Sequence, residues 1–450
     1  MNNYIMILLN KFKNSTLLVI ITAFFVLSAP ASADSNKEKE KLEAFFKDLK
    51  AFTVTYSKIK GLYVEEIDNK KLFTNAIKGM VSGLDPHSVY LEPKEQKTLL
   101  ESASGKFGGL GIVITKKDDA IQVISPIDDT PAYRAGIQAG DKIIKIDGKL
   151  VRGMTLEEGV SLMRGKAGTN ISITILRKNA KPFVVKITRE IITIVSVKGF
   201  LLEDGIGYVR ISSFQSPTAN LLEKTIQRLK EENDGDLNSL ILDLRNNPGG
   251  VLNGAVDVSN LFLDDKGIIV YTKGRIPGSN AKFISDAGDI LDNSPMVVLI
   301  NKGSASASEI VAGALQDHKR AIIMGSTSFG KGSVQTILAL KGGYGLKITT
   351  ARYYTPNDRS IQAKGIEPDI KLKNIKLGDE KEDSITETSE SDLEGHLEIE
   401  DPTKLSTKEI LNAQESKKSE ENKKALDRLE KDYFILQARN LLKALTVLKK

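Results

Sequence analysis

The chain contains no cysteine, which excludes three chemistries together: disulfide cross-links, a thiol nucleophile and thiolate zinc sites. Histidine is almost as scarce. His87, His318 and His396 are the full set, and no H-E-x-x-H pairing occurs, so neither a metal nor a zinc hydrolase is expected. A nucleic-acid partner is not expected either. The net charge is +6, but lysines and arginines are spread along the chain instead of being gathered on one face. Long hydrophobic runs are also lacking. The run from about Thr16 to Leu27 is shorter than the ~20 residues that span a bilayer. With Lys11 and Lys13 before it and Ala31-Ser32-Ala33 after it, residues 1–33 read as an export signal. The expected location is periplasmic, or at the inner membrane if that segment remains uncut.

What is present is a soluble composition, 40% hydrophobic and 27% charged, over 450 residues, too many for one ordinary core. Residues 34–100 carry helical spacing, as in Leu42, Phe45, Phe46, Leu49 and Phe52, and include the turn Gly83-Leu84-Asp85-Pro86-His87. Residues 101–190 open on the glycine-studded Phe107 to Ile114. They continue through the alternating strand Asp141 to Ile146, an Asp147-Gly148 turn, a helix from Thr155 to Arg164 and two further alternating strands, a compact β-rich domain. Residues 191–374 alternate short apolar strands (Leu240 to Leu244, Met296 to Ile300, Ala321 to Gly325) with helices, which predicts an α/β core with a largely buried sheet. Residues 375–450 begin as a charged linker. Apolar spacing returns at Tyr433, Leu436, Leu441, Leu442 and Leu445, a terminal docking helix.

In such sheets the loops that follow the strands carry the chemistry, and three of them draw attention. Ser304-Ala305-Ser306-Ala307-Ser308-Glu309 opens a helix, whose free N–H groups suit a developing oxyanion. For this loop taken alone the favoured reading is helix capping, with Glu309 completing a box with Ser306. Phe329-Gly330-Lys331-Gly332-Ser333-Val334-Gln335 sets a lysine between glycines, where it can enter a cleft. Such a lysine acts as a general base only when neutral, which requires burial to bring it well below its ordinary ~10.4. The alternative is a surface lysine in a turn. Gly325 to Lys331 also matches seven positions of a phosphate-binding loop. Gly332 then stands where a Ser or Thr would hold magnesium, and a strand pattern follows where a helix is needed. The third loop, Asn247-Pro248-Gly249-Gly250, allows close backbone approach to a ligand, or is simply a helix-start turn. His318 would lie at the far end of the helix begun by Ser306, about 18 Å away, a poor base for that serine.

Together these motifs resemble those of the C-terminal processing peptidases, also called tail-specific proteases. The resemblance runs from about Phe45 to Asp369, through Asp243 to Gly250, Ser304 to Glu309, Phe329 to Gln335 and Gly365-Ile366-Glu367-Pro368-Asp369. It implies a multi-domain α/β chain: a ClpP/crotonase-like protease core, an inserted PDZ-like β-rich domain and helical N- and C-terminal segments. It implies Ser306 as nucleophile, Lys331 as base, Gln335 as the residue that orients the lysine, and backbone N–H groups of Ala307 and of Gly249 or Gly250 as the oxyanion hole. Asp317 matches a further implicated position. Gly109-Leu110-Gly111-Ile112 resembles a PDZ carboxylate-binding loop, although a tight turn without a ligand would use the same glycines. Arg164 matches an arginine that couples the PDZ domain to the active site. The implied activity is serine endoproteolysis of proteins with accessible apolar C-termini, with no cofactor. A homodimer through the amphipathic ends and an adaptor protein are the implied partners, a non-catalytic PDZ scaffold and a nucleotide-binding protein the competing functions.

Overall fold

The computed structural model describes residues 35–372, apart from 118, 128, 178, 179 and 287, together with 426, 429 and 431–449. The segment expected to be an export signal and most of the charged linker lie outside the described residues. The chain divides into two units, residues 1–76 and 77–450. In the first, helix α1 (Ser35–Leu62) leaves Leu42, Phe45, Phe46, Leu49 and Phe52 exposed. Its Tyr56 stacks on Phe73 of helix α2 (Asn69–Ser82), which runs on past the boundary.

The second unit opens on the Asp85 turn and strand β1 (Val89–Leu91), which interrupts the helical pattern expected through residue 100. Helix α3 (Pro93–Ser104) follows, then β2 (Lys106–Gly109). The β-rich module comprises β3 (Ile112–Lys117), β4 (Ala120–Pro126), a single turn α4 (Pro131–Arg134), β5 (Lys142–Ile146), β6 (Lys149–Leu150), α5 (Leu156–Met163), β7 (Asn170–Leu176) and β8 (Phe183–Thr188). Its sheet runs β3-β4-β5-β7-β8, with β6 paired to β5. The alternation in β7 buries Ile171, Ile173 and Ile175 on one face, as its period of two requires. Strand β9 (Glu190–Thr193) then pairs antiparallel with β2, so the chain enters and leaves the module through one two-stranded neck.

The core sheet has the order β10-β11-β12-β15-β16-β19. Its members are β10 (Val197–Leu201), β11 (Ile206–Ile211), β12 (Ser239–Asp243), β15 (Met296–Ile300), β16 (Ile322–Gly325) and β19 (Ile370–Lys371), and all pairs after β10-β11 are parallel. Helices α6 (Thr218–Glu232), α7 (Leu252–Asn260) and α8 (Ala307–Asp317) cover one face, meeting Leu240, Leu242, Val298 and Ile300. The alternate residues Ile241, Val297, Leu299 and Met324 face the terminal helix α9 (Tyr433–Lys449). Coverage on both sides is why β12 and β15 are buried at every position and carry the consecutive apolar residues Leu240 to Leu242 and Met296 to Ile300 instead of alternating. The docking stripe of α9 is Ile435, Ala438 and Leu442, whereas Leu436 faces outward.

A second sheet is antiparallel: β1-β18-β13-β14, with β17 on the other side of β18. It uses β13 (Ile268–Gly274), β14 (Ala281–Ile284), β17 (Ser333–Ala339) and the ten-residue β18 (Gly345–Tyr354).

Beneath the loop that leaves β12, Asp243 is fully buried. It accepts from the Tyr208 hydroxyl at 2.8 Å and from Arg245 Nη2 at 2.7 Å, and pairs with Arg210 at 3.3 Å. Burial alone would push its carboxyl up, but Arg245 and Arg210 hold it below the usual carboxylate range. Arg245 also reaches Asp432 at the head of α9, so this cluster joins the terminal helix to the loop that leaves β12. Asp243→Asn is expected to cost about 3–5 kcal/mol, the usual result of breaking a buried ion pair on one side. Urea unfolding measures it, and a loss below about 1 kcal/mol would contradict the role given to the cluster.

Candidate active site

Three loops leave the carboxyl ends of the adjacent parallel strands β12, β15 and β16, and the candidate site lies where they meet. The alternating serines of the second loop fall into two sets. Ser304 donates its hydroxyl to the Leu244 carbonyl and Ser308 donates to the Asn247 carbonyl, both at 2.8 Å and fully buried. The outer serines thus stitch this loop to the first. Ser306, between them, is only half-buried. Its backbone has φ 54° and ψ −110°, a conformation that costs a non-glycine residue on the order of 1–3 kcal/mol. Strain of that kind persists only where the surroundings impose it, and they do so through Glu309.

The sequence offers Glu309 as a capping residue, and capping is only a quarter of what it does. The side chain is fully buried, and each carboxylate oxygen accepts twice. Oε2 takes the backbone N–H of Ser306 at 2.6 Å and of Lys331 at 2.9 Å. Oε1 takes the Ser328 hydroxyl and the Gly330 N–H, each at 2.6 Å. One carboxylate therefore holds the Ser306 turn and the Lys331 loop within two hydrogen bonds of each other. Burial pushes this carboxyl up to about 7, and the four donors pull against it. Tyr353, buried on β18, adds a second tie: its hydroxyl shares one proton between the carbonyls of Ser306, at 3.2 Å, and Lys331.

Gly249 packs on the same turn. A Cβ on it would lie 2.9 Å from Ser306 Cβ and 3.0 Å from the Ala307 nitrogen. Its own N–H is already given to Asn247 Oδ1 at 2.9 Å, which removes it from the choice of oxyanion donors. Its carbonyl accepts from Phe214 at 2.9 Å. Because a trans peptide sets C=O and N–H on opposite sides, the Gly250 N–H is directed away from Phe214. Gly250 has φ 148°, and a Cβ there would meet the Phe214 carbonyl at 1.9 Å, so only glycine fits. Ala307 is the first residue of α8, where an N–H has no acceptor within the helix.

Gln335 lies on β17, four residues after the lysine. Its Nε2 donates to Ser333 Oγ at 3.0 Å and Thr349 Oγ1 at 3.3 Å. Asp317 is not brought to this cluster. It ends α8, about 16 Å from Ser306 by helical rise, and is occupied by Arg359 and the Asn357 N–H. His318 is equally remote, with its Nε2 on the Ile268 carbonyl at 2.8 Å. The phosphate-loop alternative fails on the element after Lys331, since β17 is a strand and no helix N-terminus faces a nucleotide there. Among the described residues no cluster of three or more His, Asp or Glu is placed to hold a metal ion.

In the β-rich module, Gly109-Leu110-Gly111-Ile112 turns from β2 into β3. The Leu110 carbonyl accepts from the Ala132 N–H at 2.9 Å, and the Gly111 carbonyl from Ile127 N–H at 2.8 Å and Thr130 Oγ1 at 3.0 Å. Both carbonyls point inward, so the N–H groups of Gly111 and Ile112 point outward as a neighbouring pair. Gly111 has φ 75°, and a Cβ would strike Thr130 at 2.2 Å. Strand β3 is an edge strand. Arg164 caps α5, pairs with Glu101 of α3 at 3.1 Å and lies 4.2 Å over the Phe107 ring.

Residues 205–372 match peptidase family S41, residues 122–177 match a PDZ domain, and residues 22–95 match the N-terminal domain of the activating protease CtpB. The chain is 45% identical over 381 residues to a carboxy-terminal-processing protease of Bartonella bacilliformis, covering 84% of this chain and 86% of that one. It is 37% identical over 317 residues to the carboxy-terminal processing protease CtpA of Bacillus subtilis, covering 70% and 67%. Among solved structures, the photosystem II D1 C-terminal processing protease aligns with 71% of this chain and 86% of its own, at 31% identity and a TM-score of 0.41. The chain is thus a multi-domain α/β serine peptidase with a PDZ domain. It belongs to peptidase family S41, with the carboxy-terminal-processing proteases.

Proposed function

We propose that the chain is an exported endopeptidase that grips protein C-termini with its PDZ domain and cleaves with a serine–lysine pair. The observation that carries this reading is the Glu309 carboxylate, whose hydrogen bonds fasten a strained Ser306 to the Lys331 loop. Neutral Lys331 takes the Ser306 hydroxyl proton as Oγ attacks the peptide carbonyl, then gives that proton to the departing amine. A water, deprotonated by the same lysine, releases the acyl group. The Ala307 and Gly250 N–H groups hold the developing oxyanion, a role worth ~10²–10³ in rate for each donor. Gln335 orients the lysine.

A free carboxylate would rest on the Gly111 and Ile112 N–H pair while the tail adds to the edge of β3, with α5 as the far wall of the groove. Strand addition requires an unfolded terminus, so substrates are exported proteins with accessible apolar tails. Arg164 would couple this binding to catalysis. Its partner Glu101 lies on α3, whose Ala103 carbonyl accepts the Ser216 N–H, and Phe214 pairs with the Gly249-Gly250 loop. Residues 1–33 direct export to the periplasm. The exposed row Leu42, Phe45, Phe46, Leu49 and Phe52 on α1 fits a second copy of the chain, or an adaptor.

The test is a digest of one apolar-tailed peptide with a free and with an amidated C-terminus. The free form is expected to be cleaved at least about ten-fold faster at low substrate, because amidation removes the charge that the loop binds. Equal rates would eliminate tail recognition, and cleavage by a Ser306→Ala variant would eliminate the nucleophile.

A further inference from the structure

The turn Asp85 to Ser88 lies far in sequence from the catalytic loops, yet a directed series of hydrogen bonds leads from it to Gln335. Asp85 is buried at 4% exposure. Burial pushes its carboxyl up, but the Ser88 hydroxyl, the His87 N–H and Thr349 together hold it below the usual carboxylate range. It is therefore a carboxylate and can only accept. The Ser88 hydroxyl donates to its Oδ2 at 2.6 Å, and the Thr349 hydroxyl donates to its Oδ1 at 3.1 Å. Each of these hydroxyls has spent its one proton. Ser88 Oγ then accepts the Thr349 N–H at 3.1 Å. Thr349 Oγ1 can meet Gln335 only as an acceptor, which is how Nε2 approaches it at 3.3 Å.

The two ends of a primary amide face opposite ways. With Nε2 committed to Thr349 and Ser333, the carbonyl Oε1 is turned from Thr349 and becomes the end able to receive an N–H from the lysine amine. Strand register serves the same purpose. The β17–β18 ladder slips between Val334 and Gln335, passing from the Val334–Ala351 pair to the Gln335–Thr349 pair. The extra residue Thr350 bonds to Thr336 instead. Such a bulge re-aims side chains beside an active site. Anchoring the turn does not need the relay, because β1 already pairs with β18 from Val89 to Leu91.

We propose that Asp85 is a positioning residue for Lys331, acting through Thr349 and Gln335 by fixing which end of the glutamine amide faces the lysine. The proposal rests on the assignment of Gln335 as the residue that orients Lys331. Thr349→Val keeps the shape and removes the relay. Asp85→Asn reverses it, since an asparagine amide can donate to Thr349 Oγ1 and oblige that hydroxyl to donate to Gln335.

Steady-state kinetics on a tail-bearing peptide provide the test, with thermal melting to verify folding. Thr349→Val and Asp85→Asn are each expected to lower kcat about ten-fold with KM within about two-fold, the mark of an interaction that acts on the chemical step. Thr349→Ser, which retains the hydroxyl, is expected to restore kcat to within about three-fold of the parent. In a Gln335→Ala background, Thr349→Val should cost less than about two-fold more, because the relay would have nothing left to orient. Multiplicative losses, failure of Thr349→Ser to restore, or a change confined to KM would each overturn the relay. Should Thr349→Val not fold, Asp85→Asn in the same two backgrounds decides the matter. A fully active Gln335→Ala would overturn the relay together with the role of Gln335. Loss of activity in Ser306→Ala and Lys331→Ala would still uphold the pair, so the two failures are distinguishable.

Discussion

Ser306→Ala and Lys331→Ala are each expected to lower kcat by about 10⁴-fold or more, and the double variant to be no slower than either alone. Residues that act as one unit lose their function together, because a nucleophile without its base and a base without its nucleophile both leave only the oxyanion donors and binding. Lys331→Arg separates a base from a fixed cation. Arginine keeps the positive charge and the reach, but it is not deprotonated in proteins, so it should be as inactive as alanine. A structural or purely electrostatic lysine would tolerate that exchange. The proposed tail-binding site lies on the PDZ domain, so binding of a fluorescent tail peptide should persist in all of these variants. Substantial turnover by Lys331→Arg, or multiplicative losses in the double variant, would show that the lysine is not the base.

The pattern of the chain discloses the parts of this machine and conceals how they are fastened. The buried strands near Leu240 and Met296, the helix starting after Ser306 and the terminal helix were all legible, because each is a local run whose period or apolarity reports its own surroundings. Of the second sheet only the strand after Lys331 was. Strand β1 looks like part of a helical region, since its pairing with β18 spans more than 250 residues and leaves no local periodicity. The same limit hides the ties of the site. Asp243 and Asp432 meet through Arg245, and Asp85 meets Thr349, only after the chain has folded back on itself. Tyr353 carries no signal beyond being an aromatic in a strand. Gly249 and Gly250 were interchangeable in the sequence, and the Asn247 side chain distinguishes them by occupying one N–H. For Glu309 the position within the helix was legible but not its consequence. A glutamate three residues after a serine reads as a capping box, and the other three donors come from Ser328, Gly330 and Lys331, which pattern alone does not bring near.

Glu309 should therefore govern the acid side of the pH profile, and Glu309→Gln is the variant that reveals it. A carboxamide offers one accepting oxygen and one donating NH₂, so two of the four donors would face another donor. Leaving a buried donor unsatisfied costs about 1–3 kcal/mol each, and the Ser306 turn and Lys331 loop would separate to avoid it. A displacement of about 1 Å between reacting groups is enough for about 10²-fold in kcat, which is the expected loss. The pH dependence carries a second signature. The folded carboxyl titrates at about 7, above its ordinary 4.5, so the folded protein binds this proton more tightly than the unfolded chain does. The stability it contributes is fully present below pH 4.5 and is lost as pH rises through about 7, a change of up to about 3 kcal/mol. Activity runs the other way, because only the ionised carboxylate accepts from all four donors. Acidification from pH 8 to pH 5.5 should thus raise the urea midpoint through this group while lowering kcat, and Glu309→Gln should flatten that share of the stability change. A variant with kcat within about three-fold of the parent, or with an unaltered dependence of stability on pH, would mean that the Ser306 and Lys331 loops are held together by something other than this carboxylate.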